Sequence, residues 1–234
     1  MCRKILVLGP SGTGKSTAIE NLNPEQTFII LPDSKGLPFK GWKNLYKTVY
    51  LDNGKLDLQK SNLYETKDPV SILALLKAIS EQRQDIKNII IDTITLVMDH
   101  SYMTRAKEKG FDKYVDIALE VYNILSALDS LRKDLNVIII GHVQNDYDAQ
   151  GDLRTGFKVI GGKLIGEKIE VEGMFNTVLY SEVIMLDGKP NYQFLTQNNG
   201  RNTCKSPKGM FEELRIPNDF NYVLERIEKY EMGS

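Results

Sequence analysis

Apolar residues along the chain collect in short, nearly unbroken runs rather than in strict alternation with polar ones. "KILVL", "TFIIL", "NIIID" and "NVIIIG" are rich in Ile and Val. A run without polar gaps reads as a strand covered on both faces, the habit of parallel sheets. A weaker run, "KTVYLD", predicts an edge strand. Between these runs the period becomes helical: Ile72, Leu73, Leu75, Leu76 and Ile79 form one stripe, and Asp68-Pro69 ahead of it suits an N-cap and a first helical residue. A second stripe through Ile117, Val121, Ile124, Leu125, Leu128 and Leu131 leads into "NVIIIG". Strands alternating with helices predict an open α/β sheet. After residue 172 the pattern changes, and "TVLYSEVIMLDGKPNYQFLT" holds two β-rich runs around Asp187-Gly188, the signature of a hairpin. A mostly parallel sheet thus ends in an antiparallel hairpin, and residues 1–234 read as a single domain that includes the hairpin and final helix of 173–231. The polar stretch from Gln144 to Gly162 reads as a long loop, and a loop of that size is more often functional than idle.

Charge and cysteine content change this picture little. Thirty basic against thirty-one acidic residues give a net charge of −1, so any attraction to nucleic acid or membrane must be local. Cys2 and Cys204 lie far apart and read as reduced thiols, which predicts a cytoplasmic protein. The apolar runs fall far short of the roughly 20 residues that cross a bilayer, so no membrane partner is expected.

The chemistry begins at "GPSGTGKST", straight after the first strand. Gly9, Gly14, Lys15 and Ser16 fit G-x-x-x-x-G-K-[ST] without a mismatch, and "KSTAIENL" predicts a helix behind the motif. Glycines let the backbone wrap a phosphate with its N–H groups turned inward, and a helix N-terminus adds positive charge. Residues Gly9, Pro10, Ser11, Gly12, Thr13, Gly14, Lys15, Ser16 and Thr17 are therefore expected to cradle ATP. Lys15 would reach the β- and γ-phosphates, and Ser16 would hold Mg²⁺. Asp92 closes the third apolar run at the sheet edge where ligands sit, and is expected to support the metal while also suiting an N-cap. Asp33, two residues past Leu31, fits a water-orienting carboxylate and fits equally the turn chemistry of Pro-Asp-Ser. His142, at the end of the fourth run, is placed to sense the γ-phosphate as a neutral donor or as a cation, with Gln144 as a second choice. His100 reads as a surface residue. The guanine-reading tetrapeptide N-K-x-D is absent, and the eight arginines are scattered rather than gathered in a kinase lid.

Two further segments bear on partners. The stretch from Gln144 to Lys168 contains Arg154, Lys158, Lys163 and Lys168, balanced by Asp146, Asp148, Asp152 and Glu167. Tyr147 and Phe157 within it offer stacking platforms for single-stranded DNA, and an ordinary solvated loop fits the same residues. "NNGRNTCKSPKG" carries Arg201, Lys205 and Lys208 without an acid, which suits DNA or a charge donated in trans to a neighbour's nucleotide, as it also suits a soluble loop.

Taken together, "GPSGTGKST", "IIIDTITLVM", "IIIGHVQNDYD", "GGKLIGEKIE" and "NGRNTCKSPKGMFEEL" resemble the RecA-type ATPase core, and within it the short phage-encoded RecA-like ATPases of the Sak type. The resemblance implies a three-layer P-loop NTPase that uses ATP and Mg²⁺ in single-strand annealing or recombination. It also implies single-stranded DNA as a partner, a homo-oligomeric ring or filament, and a phage single-strand binding protein as a further associate. The segment Gln144 to Gly162 corresponds to the DNA-facing loop of RecA proteins, and Lys205 and Lys208 to basic residues that reach ATP across a filament interface. His142 stands where RecA proteins have glutamine, and Asp33 where they have glutamate. Two other classes share such a cradle: a small-molecule or nucleotide kinase, and a slow nucleotide-gated regulatory protein.

Overall fold

The computed structural model describes residues 2–147, 151, 153–160 and 170–233. All four apolar runs are strands: β1 (Arg3–Leu8), β2 (Thr27–Leu31), β4 (Asn88–Asp92) and β5 (Asn136–Gly141). With β3 (Leu63–Glu65), β8 (Thr177–Leu186), β9 (Lys189–Leu195) and β10 (Arg215–Pro217) they form one eight-stranded sheet in the order β10-β9-β8-β1-β5-β4-β2-β3. From β8 to β3 every pairing is parallel, and β8, β9 and β10 pair antiparallel. Asp187 (φ 50°) and Gly188 (φ 75°) make the turn between β8 and β9, the left-handed pair that a two-residue hairpin of this twist requires.

Alternation within each strand divides the core in two. Leu6, Phe28, Ile30, Ile89, Ile91, Val137 and Ile139 face α2 (Pro69–Gln82), α3 (Ile94–Thr104) and α4 (Asp112–Ala127). Ile5, Val7, Ile29, Ile90, Ile138 and Ile140 face the opposite layer, built from Ala18, Ile19, Leu22, Tyr46 and the last helix, α5 (Phe220–Glu231). A short α1 (Trp42–Leu45) lies on that side. Asp68 caps α2 by accepting from the amides of Val70 and Ser71, as its Asp-Pro start predicts. A polar rung sets the register where the strands begin: Arg3 donates to Asn136 (3.2 Å), Asn136 to Asn88 (2.8 Å) and Asn88 to Thr27 (3.3 Å). A one-residue slip would break all three bonds and turn the Ile faces over.

Three local expectations are corrected. "KTVYLD" is not a strand of the sheet; the edge is β3, paired to β2, and Lys47 and Val49 only brace the turn before it through bonds to Asn62, Leu63 and Asp57. The helix expected at "KSTAIENL" is a single 3-10 turn, Thr17–Ile19. Asn23-Pro24 halts it, because proline forces its predecessor into the extended region, and Asn23 caps a second 3-10 turn instead. The expected loop from Gln144 onward contains an antiparallel pair, β6 (Val143–Tyr147) and β7 (Leu153–Phe157), standing apart from the main sheet.

That pair is fastened at its base. Phe157 is 4% exposed and belongs to the core on the α2–α4 side. A Cβ on Gly141 would lie 2.6 Å from the Phe157 ring, so only glycine at the end of β5 admits the contact. Glu172 accepts from the Phe157 amide (2.9 Å) and the Thr203 hydroxyl (3.0 Å), tying in the segment that carries Arg201. Phe157→Ala is expected to cost about 3 kcal/mol of stability by the cavity it leaves. Urea unfolding measures this, and a loss within about 0.5 kcal/mol would mark Phe157 as a surface residue.

Candidate functional site

Every polar residue that the sequence places at a strand's C-terminal end comes to one rim. A cavity of about 320 Å³ there is lined by Gly14, Lys15, Ser16, Asp33, Asp92 and His142, with Thr17, Thr93, Lys35 and Tyr192 also on the wall. The covered parallel sheet dictates this: its strand interiors are apolar on both faces, so polar side chains collect where strands give way to loops.

The cradle depends on two close approaches. A Cβ on Gly9 would meet the Ser181 carbonyl at 2.7 Å, and one on Gly14 would meet the Tyr192 ring at 2.8 Å; Gly14 also holds φ 88°. Among the described residues, no backbone carbonyl accepts from the amides of residues 11–16, so the loop keeps a run of amides of the kind that can bind phosphate oxygens. Thr13 ties the loop from within by donating to the Pro10 carbonyl (2.9 Å), and Ser181 donates to the Thr13 carbonyl (2.5 Å). The three-residue 3-10 turn behind the loop supplies almost no macrodipole. The loop amides and Lys15 therefore carry the attraction for an anion.

Lys15 is buried, and its Nζ donates to the carbonyls of Gly9 (2.8 Å) and Pro10 (2.6 Å). Burial lowers its pKa to about 8, partly offset by the charge of Asp92. Asp92 is buried as well, and burial raises its pKa, while the Ser16 and Thr93 hydroxyls pull it down. Thr93 Oγ1 donates to Asp92 Oδ1 at 2.7 Å. Ser16 and Asp92 thus stand together as a hydroxyl and a carboxylate, hard oxygen donors of the type that Mg²⁺ takes alongside phosphate oxygens. The donor amides, the buried ammonium and this oxygen pair fit Mg-ATP.

Asp33 combines the two roles open to it. Its carboxylate accepts from the Lys35 amide (3.3 Å), closing the turn, and pairs with Lys35 Nζ (3.7 Å), yet it also lines the cavity. His142 is half-buried, with Nδ1 2.9 Å from the Thr95 hydroxyl. Burial, then the positive charges of Lys15 and Lys158, push its pKa below the ordinary histidine value, which favours the neutral donor over the cation in the free chain. Gln144 points its Oε1 to the Val159 amide (3.3 Å), which leaves His142 as the polar terminus at the cavity. His100 is exposed, as expected.

The residues expected at DNA are not brought together on one face. Tyr147 is exposed, but strand alternation turns it to the face opposite Arg154. Phe157, expected as a stacking platform, is a core residue, because its ring fills the space above Gly141. Lys158 pairs with Asp99 (3.3 Å), and Lys163 lies outside the described residues. Of the cations expected to act in trans, Arg201 is exposed beside β7, where its carbonyl accepts from Thr155 (2.9 Å). Lys205 exchanges backbone bonds with Val178, and Lys208 is exposed between Pro207 and Met210, which line a cavity by the start of β1. Sequence reasoning missed Thr93, Lys35 and Tyr192. The first two adjoin Asp92 and Asp33 and were legible by proximity, whereas Tyr192 arrives from 178 positions beyond Gly14 and gave no local sign.

Fold and site define a P-loop nucleotide-binding domain of the ATPase type. The family model described as an AAA domain matches residues 1–207, and the chain belongs to that family. No curated protein matches it. Among the described residues no helix is long and apolar enough to cross a membrane.

The displaced pKa of Lys15 predicts how binding responds to pH. In the free chain the ammonium is about half deprotonated near pH 8, whereas a bound polyphosphate, being anionic, raises its pKa. Binding above that point must therefore take up a proton, and affinity must fall as pH rises. Calorimetry at about pH 9 in two buffers of different ionisation enthalpy should show proton uptake on Mg-ATP binding, absent at about pH 7. An affinity that stays constant across this range would contradict the assignment.

Proposed function

We propose that the chain is a Mg-ATP-dependent ATPase of DNA recombination or single-strand annealing, of the Sak type, in which nucleotide state is relayed to the β6–β7 hairpin. Lys15 and the loop amides bind the phosphates, Ser16 and Asp92 hold the metal, and Asp33 orients water. Mg²⁺, when bound, neutralises charge that develops on the transferred phosphoryl group. His142, a neutral donor, senses the γ-phosphate.

The observation that carries this reading is the position of His142. It lines the cavity with Lys15 and Asp92, and it lies between Gly141, which packs on Phe157 at the hairpin's base, and Val143, which begins β6. Its carbonyl also accepts from the Lys158 amide (2.9 Å), just past the C-terminal end of β7 at the hairpin's base. A shift of His142 toward or away from phosphate therefore pulls on both strands of the hairpin, the kind of strand-end switch that converts phosphate occupancy into loop position. Tyr147 at the distal end then meets single-stranded DNA by stacking, with Arg201 on the neighbouring segment. The same reading has Arg201, Lys205 and Lys208 present charge to the nucleotide of an adjacent subunit in a ring or filament, with a phage single-strand binding protein as a further associate.

Measured turnover should rise several-fold on addition of a single-stranded oligonucleotide, and a slowly hydrolysed ATP analogue should drive the chain into larger species on a sizing column. Lys15→Ala should lower turnover about 100-fold or more with DNA present or absent. Turnover that ignores DNA, from a chain that stays monomeric with the analogue, would refute the recombination reading. Turnover that responds to a metabolite instead would point to a kinase.

A further inference from the structure

A second cavity, of about 510 Å³, opens against the first on its other flank. Thr17 and Tyr192 line both, so the two cavities adjoin as a trough divided at the P-loop. The sheet order gives the trough a direction. Asp92, Asp33 and His142 follow β4, β2 and β5, all on one side of β1, while the second cavity is walled by β9 and by the β10–α5 turn, on the other. A ligand whose terminal phosphates reach Lys15, Ser16 and Asp92 extends its remaining part away from them, over Gly14 and toward β9 and β10.

We propose that this cavity is the nucleoside subsite, where Tyr192 is the aromatic platform for the base and Asn218 a polar anchor for the nucleoside. The inference rests on the nucleoside triphosphate reading of the P-loop. The chemistry of the walls selects a neutral, planar occupant. Pro190, Pro217 and the Tyr192 ring supply flat apolar surface. The one cation on the wall, Arg215, pairs through Nε with Glu182 at 2.8 Å, and Gln193 donates to the same carboxylate at 2.5 Å. A further phosphate would meet on this wall only a cation already paired with a carboxylate, whereas a heteroaromatic base meets a ring it can stack on, an interaction tolerant of base identity.

The platform is also rigidly tied to the cradle. The Tyr192 ring lies so close to Gly14 that a Cβ there would fall 2.8 Å from it, and the Asn218 amide group would be 3.2–3.3 Å from that same position. Ser181 spends its proton on the Thr13 carbonyl (2.5 Å) and so accepts from Asn218 Nδ2 (3.4 Å), which leaves Asn218 Oδ1 as the acceptor at the junction of the two cavities. Base platform, polar anchor and phosphate loop are thus held in one frame before any ligand arrives, which lowers the ordering cost of binding. Tyr192 is 44% exposed, so its ring is available to a ligand and its removal leaves the core intact.

The test compares two ligands on the full chain by titration calorimetry, Mg-ATP and Mg-tripolyphosphate, the second having the phosphates without the nucleoside. Wild type should bind ATP more tightly than tripolyphosphate. Tyr192→Ala should weaken ATP on the order of tenfold or more beyond any loss of tripolyphosphate, whose loop the ring also abuts, and Tyr192→Phe should restore ATP binding, since stacking needs the ring and not the hydroxyl. Asn218→Ala should weaken ATP by a smaller factor, again beyond any loss of tripolyphosphate. Equal affinity of wild type for the two ligands, or an equal loss of both in Tyr192→Ala, would overturn the subsite. If wild type bound neither ligand, the P-loop reading beneath it would fail as well.

Discussion

A parallel sheet covered on both faces has no room for charge along its length. In β1, β2, β4 and β5 the interior positions are buried aliphatic or aromatic side chains on both faces, each contributing roughly 1.5–3 kcal/mol by leaving water. Polar groups are pushed to the two rims, and the rims divide the labour. At the strand starts, the Arg3–Asn136–Asn88–Thr27 rung fixes register. At the strand ends, Lys15, Asp92, Asp33 and His142 stand around one cavity. The register that the first rim enforces is what places the second rim's groups opposite one another, with Asp92 level with Ile140 and Leu8 level with Gly141.

Buried charge at this rim is costly, and the cost is met by local partners. Lys15 satisfies its ammonium on loop carbonyls, and Asp92 takes a hydroxyl from Thr93. Both groups nonetheless have pKa values moved toward their neutral forms, because burial has taken their charges out of water. The missing helix dipole behind the loop makes that ammonium more important here than in a cradle backed by a long helix. The same rim carries the hairpin's base, so the wall of the P-loop cavity and the hairpin share one short piece of backbone, Gly141 to Val143.

Much of this was legible in the sequence because it is local. Unbroken Ile-rich runs fold as strands, Asp68-Pro69 starts a helix, Asp187-Gly188 turns a hairpin, and the G-x-x-x-x-G-K-[ST] spacing forms the cradle. The rest depended on contacts made at a distance. β6 and β7 are too polar to read as strands and owe their position to Phe157, whose slot exists only because residue 141 is glycine. The edge strand is three residues long and paired by β2, beneath the reach of a periodicity argument. The short turn after the P-loop was readable from Asn23-Pro24 but lost to the motif's usual context. Tyr192 and Asn218 join the trough from two separate segments, and neither bears any local pattern.

The central claim is that phosphate occupancy reaches the β6–β7 hairpin through His142. Amide hydrogen exchange over residues 143–157, with and without Mg²⁺ and a slowly hydrolysed ATP analogue, measures it directly. Nucleotide should slow exchange in the P-loop and change it in the hairpin, and in His142→Ala the P-loop change should persist while the hairpin change disappears. A hairpin whose exchange is identical in both states of the wild-type chain, while its P-loop is protected, would contradict the account.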